Sequence, residues 1–405
     1  MRTPAVFCIG LLILAVSAAG MQRAEPEPPQ IIEEFMTFDL RIQEGLPVEY
    51  AIEWPRDVCT NEAGDIHVVE ADQIKVFDRD GNPKRLCGKP GTDPGEFDNL
   101  HYLTISESGH MVAGGGQFGF TFQVFGPDYE LIRKLVYMRD PPYQIQMDDL
   151  ELHPDRPRDI VAYSPGEFFY YLMGRGSEEE NRYDHTHMLI HEKDDECKIF
   201  ASYEGHSYIH GGTMGTILPF LGYLHYTALP GKRIVFSHGE YDRTAEEDRH
   251  SYIINIMSLE DGSVTKITRS YEPVPVVEED FSFITGLIER SQNERQKQAF
   301  QEAYADAQGK TEGIEFKVPL TRIISDREYV FAFTYTQDDS LGTFTDIFDA
   351  DSGRYLHSAW VQTGDQEMGN LQTIERGYAF YLKRSREEGE SSVTRYRVNP
   401  AVYRK

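Results

Sequence analysis

The side chains of this 405-residue chain that could do chemistry are a few imidazoles, carboxylates and guanidiniums at recurring places. His185-Thr186-His187 is one group, with His191 close behind. Residues two apart on a strand share a face, so His185 and His187 could chelate zinc with a third ligand. His206 and His210 could add ligands if their segment folds over the pair. A second group has one member at the start of each of six β-rich segments: Arg56 or Asp57, then His101, Asp149, His225, Arg322 and Asn370. Imidazole, carboxylate and carboxamide oxygen suit calcium or zinc, so a divalent ion is the one cofactor such a ring could take. Without a metal the same ring is a polar rim able to hold water or a small ligand. Other motifs fail. Gly114-Gly115-Gly116 and Gly211-Gly212 lack the Lys-Ser/Thr of a phosphate loop, and no Gly-x-Ser-x-Gly elbow occurs.

What positions these residues is an internal repeat. Arg56-Asp57-Val58 leads through Asn61-Glu62-Ala63-Gly64 into the apolar run Ile66 to Val69, and a second copy runs from Leu103 through Gly109 into Met111-Val112-Ala113. Gly64 and Gly109 are 45 residues apart, the period of a propeller blade. A glycine turn admits positive φ and reverses the chain between two strands. A third strand ends in Val76-Phe77-Asp78-Arg79-Asp80-Gly81, and similar phrases end near Asp128, Gly262 and Gly353. Inner strands are expected to start near Arg56, His101, Asp149, Tyr226, Arg322 and Leu371, which implies six blades. The last blade is short of a strand. The alternating segment Phe35 to Ile42 is expected to complete it and remove two exposed sheet edges. The fold class is therefore all-β, a six-bladed β-propeller over 34–405 closed by an N-terminal strand.

The repeat resembles the NHL-type six-bladed propellers, including exported bacterial members. The likeness is sharpest over 50–135, where Gly88-Lys89-Pro90-Gly91-Thr92-Asp93-Pro94-Gly95-Glu96-Phe97 matches the inter-blade linker. It is moderate over 318–400 and weak over 170–317. Lactonase-like propellers hold a divalent cation with carboxylates and Asn, and amidating-lyase-like ones hold zinc with histidines. This chain shows neither three channel histidines nor an evident Glu/Asn/Asp set.

Two insertions are expected, about 170–222 and 269–316, the second with a short helix over 287–308. Phe300, Ala303, Tyr304 and Ala307 give that helix an apolar stripe, and Gly309 offers a stop. Arg2, the apolar run Ala5 to Ala15 and Ser17-Ala18-Ala19-Gly20 read as a secretory signal over 1–20 cleaved near Ala19, with 21–33 a linker. The protein is thus expected in the periplasm or outside the cell. Cys59 and Cys87 fall on the innermost and outermost strands of one blade, too far apart for a bridge. A net charge of −27 disfavours nucleic acid and anionic membranes. Propellers are scaffolds, so function must sit in loops and channel. The leading expectation is a monomeric, non-catalytic module binding a protein, peptide or carbohydrate. The alternative is a metal-dependent hydrolase or lyase of the lactonase-like or amidating-lyase-like type at the channel mouth.

Overall fold

Blade 1 shows how the repeat folds. Asp57–Thr60, Ile66–Val69, Ile74–Phe77 and Pro83–Cys87 pair in sequence order, each antiparallel to the next. Gly64 and Gly81 take φ of 81° and 85° in the connecting turns, a conformation that costs other residues. The middle strands are buried on both faces because each blade is sandwiched between its neighbours, so their apolar runs are nearly continuous.

In a computed structural model, residues 30–405 are described apart from 44, 117–120, 138–152, 155–156, 176–184, 195, 206–207, 212–213, 247–248, 366–367 and 388–389. The chain is a six-bladed β-propeller. Blade 2 comprises Tyr102–Ile105, Met111–Gly115, Thr121–Phe125 and Leu131–Val136. Blade 3 comprises Arg158–Ser164, Glu167–Arg175, His185–Lys193 and Glu196–Gly205. Blade 4 comprises Leu224–Leu229, Arg233–His238, Arg249–Ser258 and Val264–Ser270. Blade 5 comprises Leu320–Asp326, Tyr329–Asp338, Gly342–Asp349 and Arg354–Val361. Blade 6 takes Gly369–Glu375, Tyr378–Lys383 and Ser392–Val398 from the C-terminus and Met36–Ile42 from the N-terminus.

The ring thus closes as expected. Met36–Ile42 lies antiparallel to Ser392–Val398, and the Asp39 carboxylate pairs with the Arg395 guanidinium across that seam. The chain also extends one blade backwards, where Ile31–Ile32 adds in parallel to the outer strand of blade 5. No helix among the described residues is long and apolar enough to cross a membrane.

Blade 3 corrects the expected register. Its inner strand starts at Arg158, not near Asp149, which lies outside the described residues. Most of the supposed insertion over 170–222 is blade, since its second to fourth strands span 167–205. Glu167–Arg175 carries Phe168, Phe169, Tyr170, Tyr171 and Leu172, each no more than 1% exposed. Buried on both faces, it lacks the alternation that marks a half-exposed strand. The true excess is 206–222, which includes the hairpin Tyr208–Gly211 and Met214–Ile217.

The second insertion runs from 271 to 319 and holds two helices, α1 at Ser282–Arg290 and α2 at Glu294–Thr311. Asn293 caps α2, its side-chain oxygen accepting from Arg295 N at 2.9 Å. The buried face is Ala299, Ala303 and Ala307: the expected stripe holds at Ala303 and Ala307, with Ala299 in place of Phe300, which is only half-buried. The helix also runs past Gly309 to Thr311. Small residues let it lie flat on Phe220, Phe281 and Ile284, which form a satellite core with Ala307. Cys59, Cys87 and Cys197 are free thiols.

Candidate functional site

A shift of one residue along a strand turns a side chain to the other face. Arg56 and Asp57 show it at the start of blade 1. Arg56 Nη1 donates to Asn99 Oδ1 and to Leu100 O, both at 2.7 Å, and approaches His101 Nδ1 at 3.4 Å. It is spent on the rim between blades 1 and 2. Asp57 instead turns into the channel. Its carboxylate accepts from Val58 N at 2.9 Å, from Gln372 Nε2 at 2.9 Å and from Leu103 N of blade 2 at 3.0 Å.

Similar contacts join every neighbouring pair of blades around the centre. Thr104 Oγ1 donates to Ile160 O, and Tyr226 Oη donates to Arg158 O at 3.2 Å. His225 Nε2 meets Leu320 O at 3.2 Å. Asp326 accepts from Arg376 N at 2.6 Å and Gly377 N at 2.7 Å. Glu375 Oε2 accepts from Thr60 N at 2.6 Å and Thr60 Oγ1 at 2.8 Å, returning to blade 1. Many of the polar channel residues are therefore structural: they satisfy strand-edge amides and carbonyls that no ladder reaches.

Inside this ring lies a cavity of about 740 Å³ lined by the inner strands of all six blades. It extends from a layer holding Asp57, Asp159, His225, Arg322 and Gln372 to the turns that carry Glu62, Glu107, Arg327 and Arg376. Of the expected ring, His225 and Arg322 line this cavity, whereas Arg56, His101 and Asn370 do not. Asn370 is exposed at the start of the blade 6 inner strand, and Gln372, two residues on, takes the channel position. The blade 3 carboxylate is Asp159, which sequence reasoning missed. The signal was present: Asp159, Val161 and Tyr163 alternate along the strand and all line the cavity, while Ile160 and Ala162 are buried between blades.

Asp159 is unlike its neighbours. The strand bulges there, with pairing shifted between Arg158 and Val161, and Asp159 has φ of 48°. A non-glycine residue in that region stores strain, which clusters where geometry serves a ligand. Asp57 and Glu375 have both oxygens engaged. Asp159 accepts only from Tyr226 Oη, at 3.2 Å, so Oδ1 has no partner among the described residues. Tyr163 also lines the cavity, but its Oη is shut off from the open space and has no partner among the described residues.

The charges are coupled through Arg322. Its guanidinium donates to Leu371 O at 2.8 Å and to Gln372 O, which holds it within the ring. Burial pushes the Asp57 carboxyl up from 3.8 to about 7, against the pull of the Leu103 and Val58 amides. Burial also raises Asp159, opposed by the Tyr226 hydroxyl and the Arg158 and Arg322 charges. Asp159 lies deep in the ring yet is exposed to the cavity, where water screens its charge. Burial lowers Arg322, opposed by Asp57 and Asp159. His225 is lowered to about 4 by burial and is neutral near pH 7. Its carbonyl partner assigns the proton to Nε2 and leaves Nδ1 an acceptor.

Among the described residues no three His, Cys, Asp or Glu side chains converge as a metal site. His187, one half of the expected zinc pair, sits in an aromatic cluster. Its Nδ1 is 2.6 Å from Tyr171 Oη, and its ring packs 5.1 Å from Tyr223 and 5.5 Å from His238. The side chains of His185, His206 and His210 lie outside what is described. For a calcium or zinc ion in the channel, the donors do not fit: Asp57 and Glu375 are committed to amides, and Arg322 already supplies the positive charge.

No family model matches this chain, and no curated protein matches it. Among solved structures, a candidate exported protein from Bacteroides fragilis is similar at 8% identity, covering 91% of this chain and 97% of its own, with a TM-score of 0.44. A gluconolactonase from Xanthomonas campestris is similar at 10% identity, covering 94% of this chain and 99% of its own, with a TM-score of 0.41.

Proposed function

We propose that this chain is an exported, non-catalytic propeller that binds a small hydroxyl-rich ligand, a carbohydrate, in its channel cavity. The observation that carries the reading is Arg322, fixed in the cavity layer that holds Asp57, Asp159 and His225, where one Asp159 carboxylate oxygen has no partner among the described residues. Sugar hydroxyls both donate and accept. Asp159 Oδ1 and His225 Nδ1 accept, and the guanidinium donates. The Tyr163 and Tyr226 rings add the apolar face that a sugar ring stacks on. A cavity of about 740 Å³ falls within the range of small-ligand pockets.

The hydrolase or lyase reading is less well supported. It needs His101 and His225 at one point, but His101 bonds to Arg56 and Asn99 on the rim while His225 lines the cavity. Export rests on the apolar segment Ala5 to Ala15, and N-terminal sequencing of protein recovered from the periplasm or medium tests it: a start at Gly20 is expected. Calorimetric titration with mono- and disaccharides in the presence of a chelator tests the binding. Heat of binding that Asp159→Asn abolishes is expected. Binding that appears only with a divalent ion would favour the metal-dependent reading.

A further inference from the structure

A second concave site lies on the outer flank between blades 4 and 5, remote from the channel lining. It is a cavity of about 420 Å³ walled by Tyr271, Tyr335, Phe344 and Trp360, with Arg269 and Asp346 at its base. The register accounts for the wall. Phe344 and Trp360 sit directly opposite each other on the paired outer strands of blade 5, with ring centroids 5.1 Å apart. Tyr335 falls where the ladder breaks between Phe333 and Gln337. Tyr271 follows the last strand of blade 4, where the helical insertion begins. All four rings are only half-buried.

The base is more specific than the walls. The Asp346 side chain is 3% exposed, and it accepts from Tyr252 Oη at 2.6 Å, from Ser358 Oγ and from Arg269 Nε at 3.4 Å. The Arg269 guanidinium carbon stacks 3.8 Å from the Tyr355 ring. One face and one edge of the guanidinium are therefore fixed, while its Nη atoms make no hydrogen bond among the described residues. A pinned guanidinium with its fork unused is the arrangement that binds a carboxylate bidentately. The rim adds exposed Ser270 and Glu272 and half-buried Thr336, whereas the buried base leaves only the Arg269 fork to spare. Asp346 is saturated, and Thr334 Oγ1 is spent on Phe344 O at 2.9 Å. At that base a sugar would find too few partners, and Arg269 would repel a cation.

We propose that this cavity binds an aryl carboxylate, its acid group on the Arg269 fork and its ring among Trp360, Phe344 and Tyr335. The source is either a free acid or the C-terminal carboxylate of a chain ending in an aromatic residue. Trp54 and Trp360 are the two tryptophans of the chain, so Trp54→Phe makes Trp360 the only tryptophan reporter. The test is fluorescence titration of the full Trp54→Phe chain with 3-phenylpropionate, its neutral amide, and a peptide ending in a free phenylalanine carboxylate. A saturable change with the carboxylate, at least about tenfold weaker with the amide, is expected. A response to 3-phenylpropionate alone assigns a free acid, and a stronger one to the peptide assigns a chain terminus. Arg269→Gln should weaken either by a similar factor. Arg269→Lys keeps a charge against Asp346 and should lose most of the affinity through the missing fork. Asp159→Asn should change nothing. Equal binding of acid and amide, unchanged affinity in Arg269→Lys, or no response up to about 10 mM overturns the proposal.

Discussion

The rim and the interior of the channel are built from the same residue types, yet they differ in what they leave available. At the strand starts Arg56, Asn99 and His101 bond to one another. One layer deeper, Asp57 and Glu375 hold neighbouring blades through backbone amides, while Asp159 keeps an unused oxygen. The lesson is that polarity in a propeller channel does not mark function by itself. Residues that answer a backbone group are part of the ring, and those with capacity left over are candidates for a ligand.

The largest test of this contrast removes the ring itself. Deleting 34–44 takes away the strand Met36–Ile42 and the Asp39 to Arg395 ion pair, leaving blade 6 with an open edge. Loss of cooperative unfolding is expected, because the seam should be worth a large share of a total stability of about 5–15 kcal/mol. A melt like that of the full chain would show that the closure is dispensable.

Next in size is the split between two aspartates. Asp57→Ala strips the acceptor from the Leu103 amide and should destabilise the fold by about 2–4 kcal/mol in chemical denaturation. Asp159→Asn should shift stability by less than about 0.5–1 kcal/mol, since only Tyr226 answers it, yet it should abolish sugar binding. Equal destabilisation by the two would erase the distinction between ring and ligand residues.

The pH dependence sharpens the same point. A carboxyl raised from 3.8 to about 7 in the folded state means that the fold binds more protons than the unfolded chain between these values. Asp57 therefore contributes stability that is present below about pH 4 and is lost as pH rises towards 7. Buried neutral His225 acts oppositely: its stability is present above 6.5 and is lost as pH falls towards 4. Comparing melts of wild type and Asp57→Asn from pH 4 to 7 should show the variant gaining by about 1–2 kcal/mol as pH rises. A constant difference would mean that Asp57 is an ordinary exposed carboxyl.

The smallest effect belongs to the helical insertion. Phe283 on α1 is 62% exposed, so Phe283→Ser should change stability by less than about 0.5 kcal/mol, whereas Ala303→Arg on the buried face of α2 should cost about 2–3 kcal/mol. Thermal melts that rank the two the other way would misplace the helix.

Much of this was legible in the chain. The glycine turns and the 45-residue spacing gave the blades, and the orphan strand near the N-terminus gave the closure. Blade 3 was not legible, because Phe168 to Leu172 are buried on both faces and show no alternation. That one error displaced the candidate carboxylate from Asp159 to Asp149. The choice between Arg56 and Asp57 turned on a single-residue register that spacing alone leaves open. The site over Arg269 could not be read at all, because it joins residues from the outer strands of two blades and the start of an insertion.

The central claim is that Asp159 and Arg322 form a ligand site rather than another staple. Calorimetric titration of the protein with mono- and disaccharides, beside Asp159→Asn and with a chelator present, tests it most directly. Saturable heat for at least one sugar is expected with the wild type and none with the folded variant. Identical heats for the two proteins, or no sugar bound by either, would contradict it.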